Sequence, residues 1–413
     1  MTAEILPPPP VSRWPFRRVA LVLAVTAFGA GIPTPVYALY ESAFHISSGT
    51  IAAIFAAYTV GVLATMLLVA PLSDLVGRKP VLYLGMALVG ASAILFLFAN
   101  GVALLAIARV VSGLAVGATT STATATMTSL EPRRDPHHVA RVSVAANFGG
   151  VASGILLSGI LVAYAPAPRE LIYVVLIAAS VVGGLAIRAT PETVVRGPAA
   201  PPVRVQRLSV PPSIRRSFWV AAGALAACYS IYGYFAAIGP SFLRVSLSIT
   251  NAAVSSAVIA SMFGFAALVQ TVLGQVRDRR ALLVGLPIIL GATFLVTLAL
   301  PLTSLALFGV GAAILGIGVG YAYMGSVTLV DRVSWPEQRG EILSAFFVVG
   351  YLALAVPTIG VGATVDQFGL VAAASAFGIS LAAWVAVLYF ATRRTPTPPG
   401  GEGWPRDRPA SGT

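Results

Sequence analysis

Charge is scarce in this chain: Asp, Glu, Lys and Arg make up 10% of its 413 residues, where soluble domains carry roughly 25%. With 57% hydrophobic residues and a mean hydropathy of +0.89, the chain cannot have water as its main solvent. Cysteine occurs once, at Cys228 inside an apolar run, which excludes an internal disulfide and leaves a small packing residue. Lysine also occurs once, at Lys79, and histidine three times. His137 and His138 share a basic loop with no other ligand type beside them, so no metal site is expected. All 14 Asp and Glu residues fall in gaps, tails or the ends of apolar runs. A membrane-embedded enzyme would need paired carboxylates or a His cluster inside a run; neither is there, and no cofactor is expected.

Apolar segments fill the remaining space. Runs of about 20 residues, each able to cross a roughly 30 Å hydrocarbon layer as a helix, lie near 18–40, 50–71, 80–99, 102–128, 142–164 and 171–189. A second set follows near 217–239, 252–275, 281–300, 305–330, 341–364 and 369–391. The expected fold class is an all-α polytopic membrane protein with 12 transmembrane helices. Residues 1–16 read as a stub stiffened by the proline run 7–10. The apolar run after Arg18 is too long for a secretory leader and lacks a small-residue cleavage site.

Basic residues supply the orientation. Of the 26 Lys and Arg residues, 23 lie in every second gap and at the termini, only Arg169 and Arg244 occupy the opposite gaps, and Arg109 lies inside a span. The positive-inside rule then puts both termini in the cytoplasm. The net charge of +12 belongs to a basic rim that suits anionic lipid headgroups, not to a nucleic-acid surface. Arg outnumbers Lys 25 to one amid abundant Ala and Gly, a composition pointing to a GC-rich bacterial source and hence a bacterial plasma membrane.

An internal repeat divides the chain. After the second span it reads Ala70-Pro71-Leu72-Ser73-Asp74-Leu75-Val76-Gly77-Arg78-Lys79, and after the eighth Gly274-Gln275-Val276-Arg277-Asp278-Arg279-Arg280, with the two Asp positions 204 apart. Polar capping residues precede both helices, at Ile46-Ser47-Ser48 and Ile249-Thr250-Asn251. The expected domains are a cytoplasmic stub (1–16), a six-helix bundle (17–190), a Pro- and Arg-rich linker (191–216), a second six-helix bundle (217–392) and a disordered cytoplasmic tail (393–413). Two parallel six-span halves are a common transporter architecture, with the solute site near the midplane between them.

Three motifs resemble those of the major facilitator superfamily. The turn 70–79 is similar to its signature loop, Gly-x-Leu-Ser/Ala-Asp-Arg-x-Gly-Arg-Arg/Lys, with matches at Leu72, Ser73, Asp74, Gly77, Arg78 and Lys79 and departures at Ala70 and Leu75. Span four carries Arg109-x-x-x-Gly113-x-x-x-Gly117, and Pro191-Glu192-Thr193 closes span six. Span five, Gly150-x-x-x-Gly154-Ile155-x-x-Ser158-Gly159, resembles the glycine-rich span of the bacterial drug and metabolite exporter branch, with Ile155 and Ser158 where that branch has Pro and Gly. The resemblance implies a conformational latch at Asp74, Gly77, Arg78 and Lys79, with Asp278 and Arg279 as its degenerate counterpart. Gly113, Gly117, Gly150, Gly154 and Gly159 would let helices approach closely, either as a rocking contact or as ordinary tight packing.

Arg109 stands out physically. An Arg inside a span costs about 2.5–3.5 kcal/mol on insertion scales, so it should face the interior and have a partner. Helical steps from it pass Gly113, Gly117, Thr120, Thr124 and Thr128, a face that lines a wet path or whose hydroxyls bond back to carbonyls one turn earlier. No carboxylate is at mid-depth, which leaves two partners for Arg109: backbone carbonyls near Pro33 and Pro35, or an anionic group on the solute. Glu41 and Asp366, at span ends, are the candidate proton-coupling groups.

In this superfamily spans one, four, seven and ten line the central cavity. Here they would supply Thr34, Tyr37, Arg109, Tyr229, Tyr232, Tyr234, Tyr321 and Tyr323, with Asn147 of span five adding a neutral donor and acceptor. Tyrosine offers apolar area plus a hydroxyl, suited to amphipathic ring-containing solutes. The expected function is secondary active, proton-coupled export of a small amphipathic organic compound by a monomer in the bilayer. The alternatives are uptake or facilitated movement of a small organic anion, and a non-transporting membrane sensor.

Overall fold

The computed structural model of the chain describes residues 13–68, 76–133, 135–194, 210–272, 278–335 and 338–395. Asp74, most of the linker and the tail beyond residue 395 lie outside the described residues. The helices of the first half are α1 (Trp14–Gly31), α2 (Pro33–Phe44), α3 (Ser48–Leu68), α4 (Arg78–Leu97), α5 (Val102–Leu130), α6 (Pro136–Tyr164) and α7 (Leu171–Arg188). A short 3-10 turn, Pro212–Ile214, leads into the second half. There follow α8 (Arg215–Ala237), α9 (Gly239–Ser246), α10 (Ala252–Val272), α11 (Asp278–Leu298), α12 (Leu305–Val333), α13 (Arg339–Phe368) and α14 (Leu370–Arg394). Among the described residues there is no strand, and 12 helical stretches are long and apolar enough to span a membrane.

The first span consists of α1 and α2 together. Its helical ladder is interrupted at Ile32 because Pro33 and Pro35 lack the N–H groups that would carry it through. Gly239-Pro240 breaks α8 from α9 at the matching point of the second half. Side-chain caps begin several helices. Asp135 accepts the His137 N–H at 2.9 Å, Asn251 accepts those of Ala253 and Val254, and Ser304 accepts that of Leu307.

The two halves repeat each other contact for contact. In the first, α3 and α4 pack on α5, α1 packs on α6, and α4 packs on α7. In the second, α10 and α11 pack on α12, α8 on α13, and α11 on α14. The halves meet along two seams, α6 with α10 and α3 with α13, which exchange under the pseudo-two-fold relation. Small residues permit both crossings. A Cβ on Gly159 would fall into the Ser256 hydroxyl, and one on Gly362 would come within 3.0 Å of the Gly49 backbone. Large apolar side chains form the outer surface; Ile379, Trp384, Val387 and Phe390 lie exposed along one stripe of α14, the face that meets lipid.

In this conformation the Asp278 carboxylate pairs with Arg332 of the same half at 2.6 Å. The Asp278 backbone has φ 58 at the start of α11, and Gly77 has φ 100 just before the start of α4. Arg279 likewise donates to the carbonyls of Thr392 and Arg393, as Lys79 donates to that of Arg188.

Glu192 ties the basic turn of the first half together. Its carboxylate accepts the N–H groups of Arg78 (3.1 Å) and Lys79 (3.0 Å) at the start of α4, together with those of Thr193 and Val194. Arg78 also donates to the Ala125 carbonyl and the Ser129 hydroxyl at the end of α5. Burial acts to raise the Glu192 pKa, but the four N–H bonds outweigh it and hold the carboxyl below its ordinary value. A depressed folded pKa contributes stability that is present above the unfolded value, roughly 4.3, and lost as pH falls through the folded one. Thermal unfolding should therefore separate wild type from Glu192→Gln at pH 7 and bring them together in acid. A gap unchanged down to strongly acidic pH would show that the ionised carboxylate is not what holds the turn.

Candidate functional site

A cavity of about 640 Å³ lies between the halves. Its wall includes Thr128, Ser143 and Leu343 toward the Arg-rich end of the bundle, and Thr34 and Leu354 deeper in. Beyond Thr34 the opposite end is joined by polar contacts between the halves. Arg244 of α9 donates to Glu41 of α2 at 3.0 Å and to the Ala38 carbonyl at 3.3 Å. Ser241 donates to the same Glu41 carboxylate at 2.8 Å. Asp366, in the last turn of α13, accepts from the Ser47 hydroxyl at 2.7 Å and the Gly49 N–H at 3.1 Å at the start of α3. Asn251 donates to the Tyr164 hydroxyl at 3.0 Å. The conformation is closed at the Arg-poor end, with Glu41 and Asp366 engaged in the closure.

Arg109 is the single charged residue lining this cavity among the described residues, and it is 2% exposed. Gly113 places it there. A Cβ at Gly113 would strike the Tyr58 carbonyl, and one at Gly61 would strike that of Val110, so α3 and α5 touch backbone to backbone one turn from the guanidinium. That approach brings the Phe55 and Tyr58 ring centroids to 4.9 Å from Arg109 Cζ, while Tyr37 lies at 6.0 Å. A desolvated cation over aromatic faces gains about 2 kcal/mol. The hydrogen bonding is thin: Nη1 donates to the Ala30 carbonyl at a long 3.4 Å, and Nε has no partner in the protein. Ala30 is among the last four carbonyls of α1, which lack a helical donor. The backbone near Pro33 thus meets only part of the demand.

Thr34, Asn147, Tyr229, Tyr232 and Tyr323 share the wall with Arg109, as do Gly117, Thr120, Thr124 and Thr128. The threonines mostly bond back along α5, Thr124 to the Thr120 carbonyl and Thr128 to that of Thr124, each at 2.9 Å, while the Thr120 hydroxyl has no partner in the protein. Gly113 faces α3; Gly150 and Gly154 face the α1 backbone at Ala24 and Phe28; Gly159 faces α10 across the seam. Three tyrosines proposed for the wall are elsewhere. Tyr37 lies behind Arg109, fully buried. Tyr234 stacks on Phe377 at 4.7 Å inside the second half, and Tyr321 sits at the α11–α12 crossing near Gly285. Residues two apart on a helix point about 200° apart, so Tyr232 and Tyr234 cannot both face the cavity, nor Tyr321 and Tyr323.

Other wall residues were not brought forward by the sequence pattern. Phe55 and Tyr58 of α3, Phe148 of α6, Phe263 of α10, and Phe347 and Tyr351 of α13 all line it. The helical spacings 55/58 and 347/351 are the signal that could have found them.

Twelve apolar helices in two repeated halves around an aromatic-walled cavity closed at one end define a solute carrier of the membrane. A family model described as Major Facilitator Superfamily matches residues 19–358, and the chain belongs to that superfamily, whose members are transporters and not enzymes. No curated protein sequence matches the chain significantly. Among solved structures, it is similar to the human organic anion transporter MFSD10 (TETRAN), with a TM-score of 0.68 and 16% identity over 94% of this chain and all (100%) of that one. At that identity the likeness concerns the fold.

Proposed function

We propose that the protein is a secondary transporter that exports a small amphipathic organic anion by alternating access. The observation that carries this is Arg109: a buried cation in the cavity wall with one long hydrogen bond, an unpartnered Nε and no carboxylate beside it. An anionic solute group completes its coordination, and the surrounding aromatic area takes the apolar body. The similar fold of an organic anion transporter is consistent with this. The protein acts as a monomer in a bacterial plasma membrane with both termini cytoplasmic, so the cavity opens to the cytoplasm. A monoanion leaving a cell that is negative inside gains about 2.3 kcal/mol per 100 mV, which favours export over uptake.

Proton coupling is supported by a separate observation. Glu41 and Asp366 hold partners across the two halves, so opening the Arg-poor end strips both carboxylates of those partners, the change of surroundings a proton carrier needs. Asp74 would act as the latch of the opposite end, against a helix N-terminus of the other half.

A thermal-shift screen of anionic, cationic and neutral solutes against purified protein, followed by flux of the hits into vesicles, tests the proposal. Anions should stabilise the protein and move across the membrane. Hits confined to cations would refute the anion reading, and binding without flux would favour a sensor. Full pH-gradient-driven transport by both Glu41→Gln and Asp366→Asn would remove them as proton carriers.

A further inference from the structure

Both halves line the cavity with aromatic and aliphatic side chains, but its charge and its non-phenolic polar side chains come from one half alone. From the first half come its cation, Arg109, and the small polar groups Thr34, Thr120, Ser143 and Asn147. Among the described residues, the second half contributes only aromatic and aliphatic side chains, its polar atoms being phenol hydroxyls. These rings form a continuous set. Tyr229 lies 5.1 Å from Tyr351, 6.0 Å from Tyr232 and 6.5 Å from Tyr323, and Phe148 reaches across from the first half to within 5.6 Å of Tyr232 and 5.3 Å of Tyr323. The Tyr232 hydroxyl, like Arg109 Nε, is buried without a partner in the protein.

Building on the organic-anion reading, we infer that the solute is an aromatic monoanion that bridges the halves, its anionic group on Arg109 of the first half and its ring among Tyr229, Tyr232, Tyr323 and Tyr351 of the second. Three physical steps lead there. One cation with no second charge in the wall matches one negative charge; a dianion would bring an uncompensated charge into a desolvated site. Ring faces and edges at 5–6.5 Å spacing offer offset-stacked and edge-to-face contacts, which are worth about 0.5–1.5 kcal/mol beyond area burial and which an alkyl chain cannot make. Because charge and ring are held by different halves, occupancy couples the two bundles directly, and a solute that engages only one wall cannot draw them together.

Binding to purified, full-length protein in detergent tests this with a matched series: 3-phenylpropionate, its amide, hexanoate and phenylsuccinate. Phenylpropionate should bind at least ten-fold more tightly than each of the other three. Tyr229→Leu and Tyr323→Leu should each erase the preference over hexanoate while keeping that over the amide; Arg109→Gln should do the reverse. That crossed pattern is one a general loss of packing would not produce. If hexanoate bound as well as phenylpropionate while the amide did not, the aromatic assignment would fall and the organic-anion function would stand. If the amide bound as well as the acid, the organic-anion function itself would fall. Equal binding of phenylsuccinate would overturn the single-charge assignment, and no binding by any of the four would overturn the inference as a whole.

Discussion

Arg109→Gln should abolish most anion transport while leaving the protein as stable as before, or more so. Losing a charge-assisted hydrogen bond to solute removes about 1.5–3 kcal/mol, a fall in affinity of roughly ten- to a hundred-fold. In stability the sign is opposite. The native Arg109 has a single long bond to the Ala30 carbonyl, and its contact with the Phe55 and Tyr58 rings, worth about 2 kcal/mol, falls short of the roughly 2.5–3.5 kcal/mol cost of burying the cation, a cost that a neutral amide of lesser reach relieves. Arg109→Lys should not restore transport, because a point charge cannot reproduce a planar fork lying over Phe55 and Tyr58. Flux in vesicles and melting temperature in detergent, measured on the same preparations, check both halves of the expectation. A melting temperature lowered by several degrees, with transport kept, would make Arg109 a structural hub.

Glu41→Gln should shift the resting protein toward a form open at the Arg-poor end. Glu41 joins α2 to α9 through Arg244 and Ser241, and its side chain is only 10% exposed against 36% for Arg244. Hydrogen bonds to a charged group are worth about 1.5–3 kcal/mol when sheltered, and the exposed arginine places this pair toward the lower end after screening. A change of about 1.5 kcal/mol still alters the ratio of two conformers roughly ten-fold. Spin labels on α2 and α9, introduced after replacing the lone Cys228 with Ala, would report the distance across this end. Distance distributions indistinguishable from wild type would mean that the Glu41 contacts accompany closure without maintaining it. Adding Asp366→Asn should widen the shift, since Asp366 holds the start of α3 from the end of α13.

Both expectations draw on residues visible in the sequence, yet their surroundings were legible to different degrees. Arg109 is conspicuous in a linear reading because insertion cost depends on depth alone. Its aromatic neighbours Phe55 and Tyr58 were not, because they come from span two and reach Arg109 only through the glycine-mediated contact of α3 with α5. Glu41 and Asp366 were identified as span-end carboxylates, and nothing in one dimension pairs Glu41 with Arg244, 203 positions away. Spacing alone pairs Asp278 with Asp74, and the ion pair of Asp278 with Arg332 of the same half was likewise invisible in one dimension.

The sequence by itself determined the solvent, the number of crossings, the two-fold repetition and the isolation of one cation among apolar spans. These depend on the length of hydrophobic runs and the distribution of charge along the chain, quantities that need no knowledge of neighbours. Tertiary structure decided which tyrosines face the cavity, which carboxylates join the halves, and that the charge of the wall comes from one half alone. Those outcomes depend on how far each helix is rotated about its axis, and a span hydrophobic on every side carries no pattern from which that angle can be read.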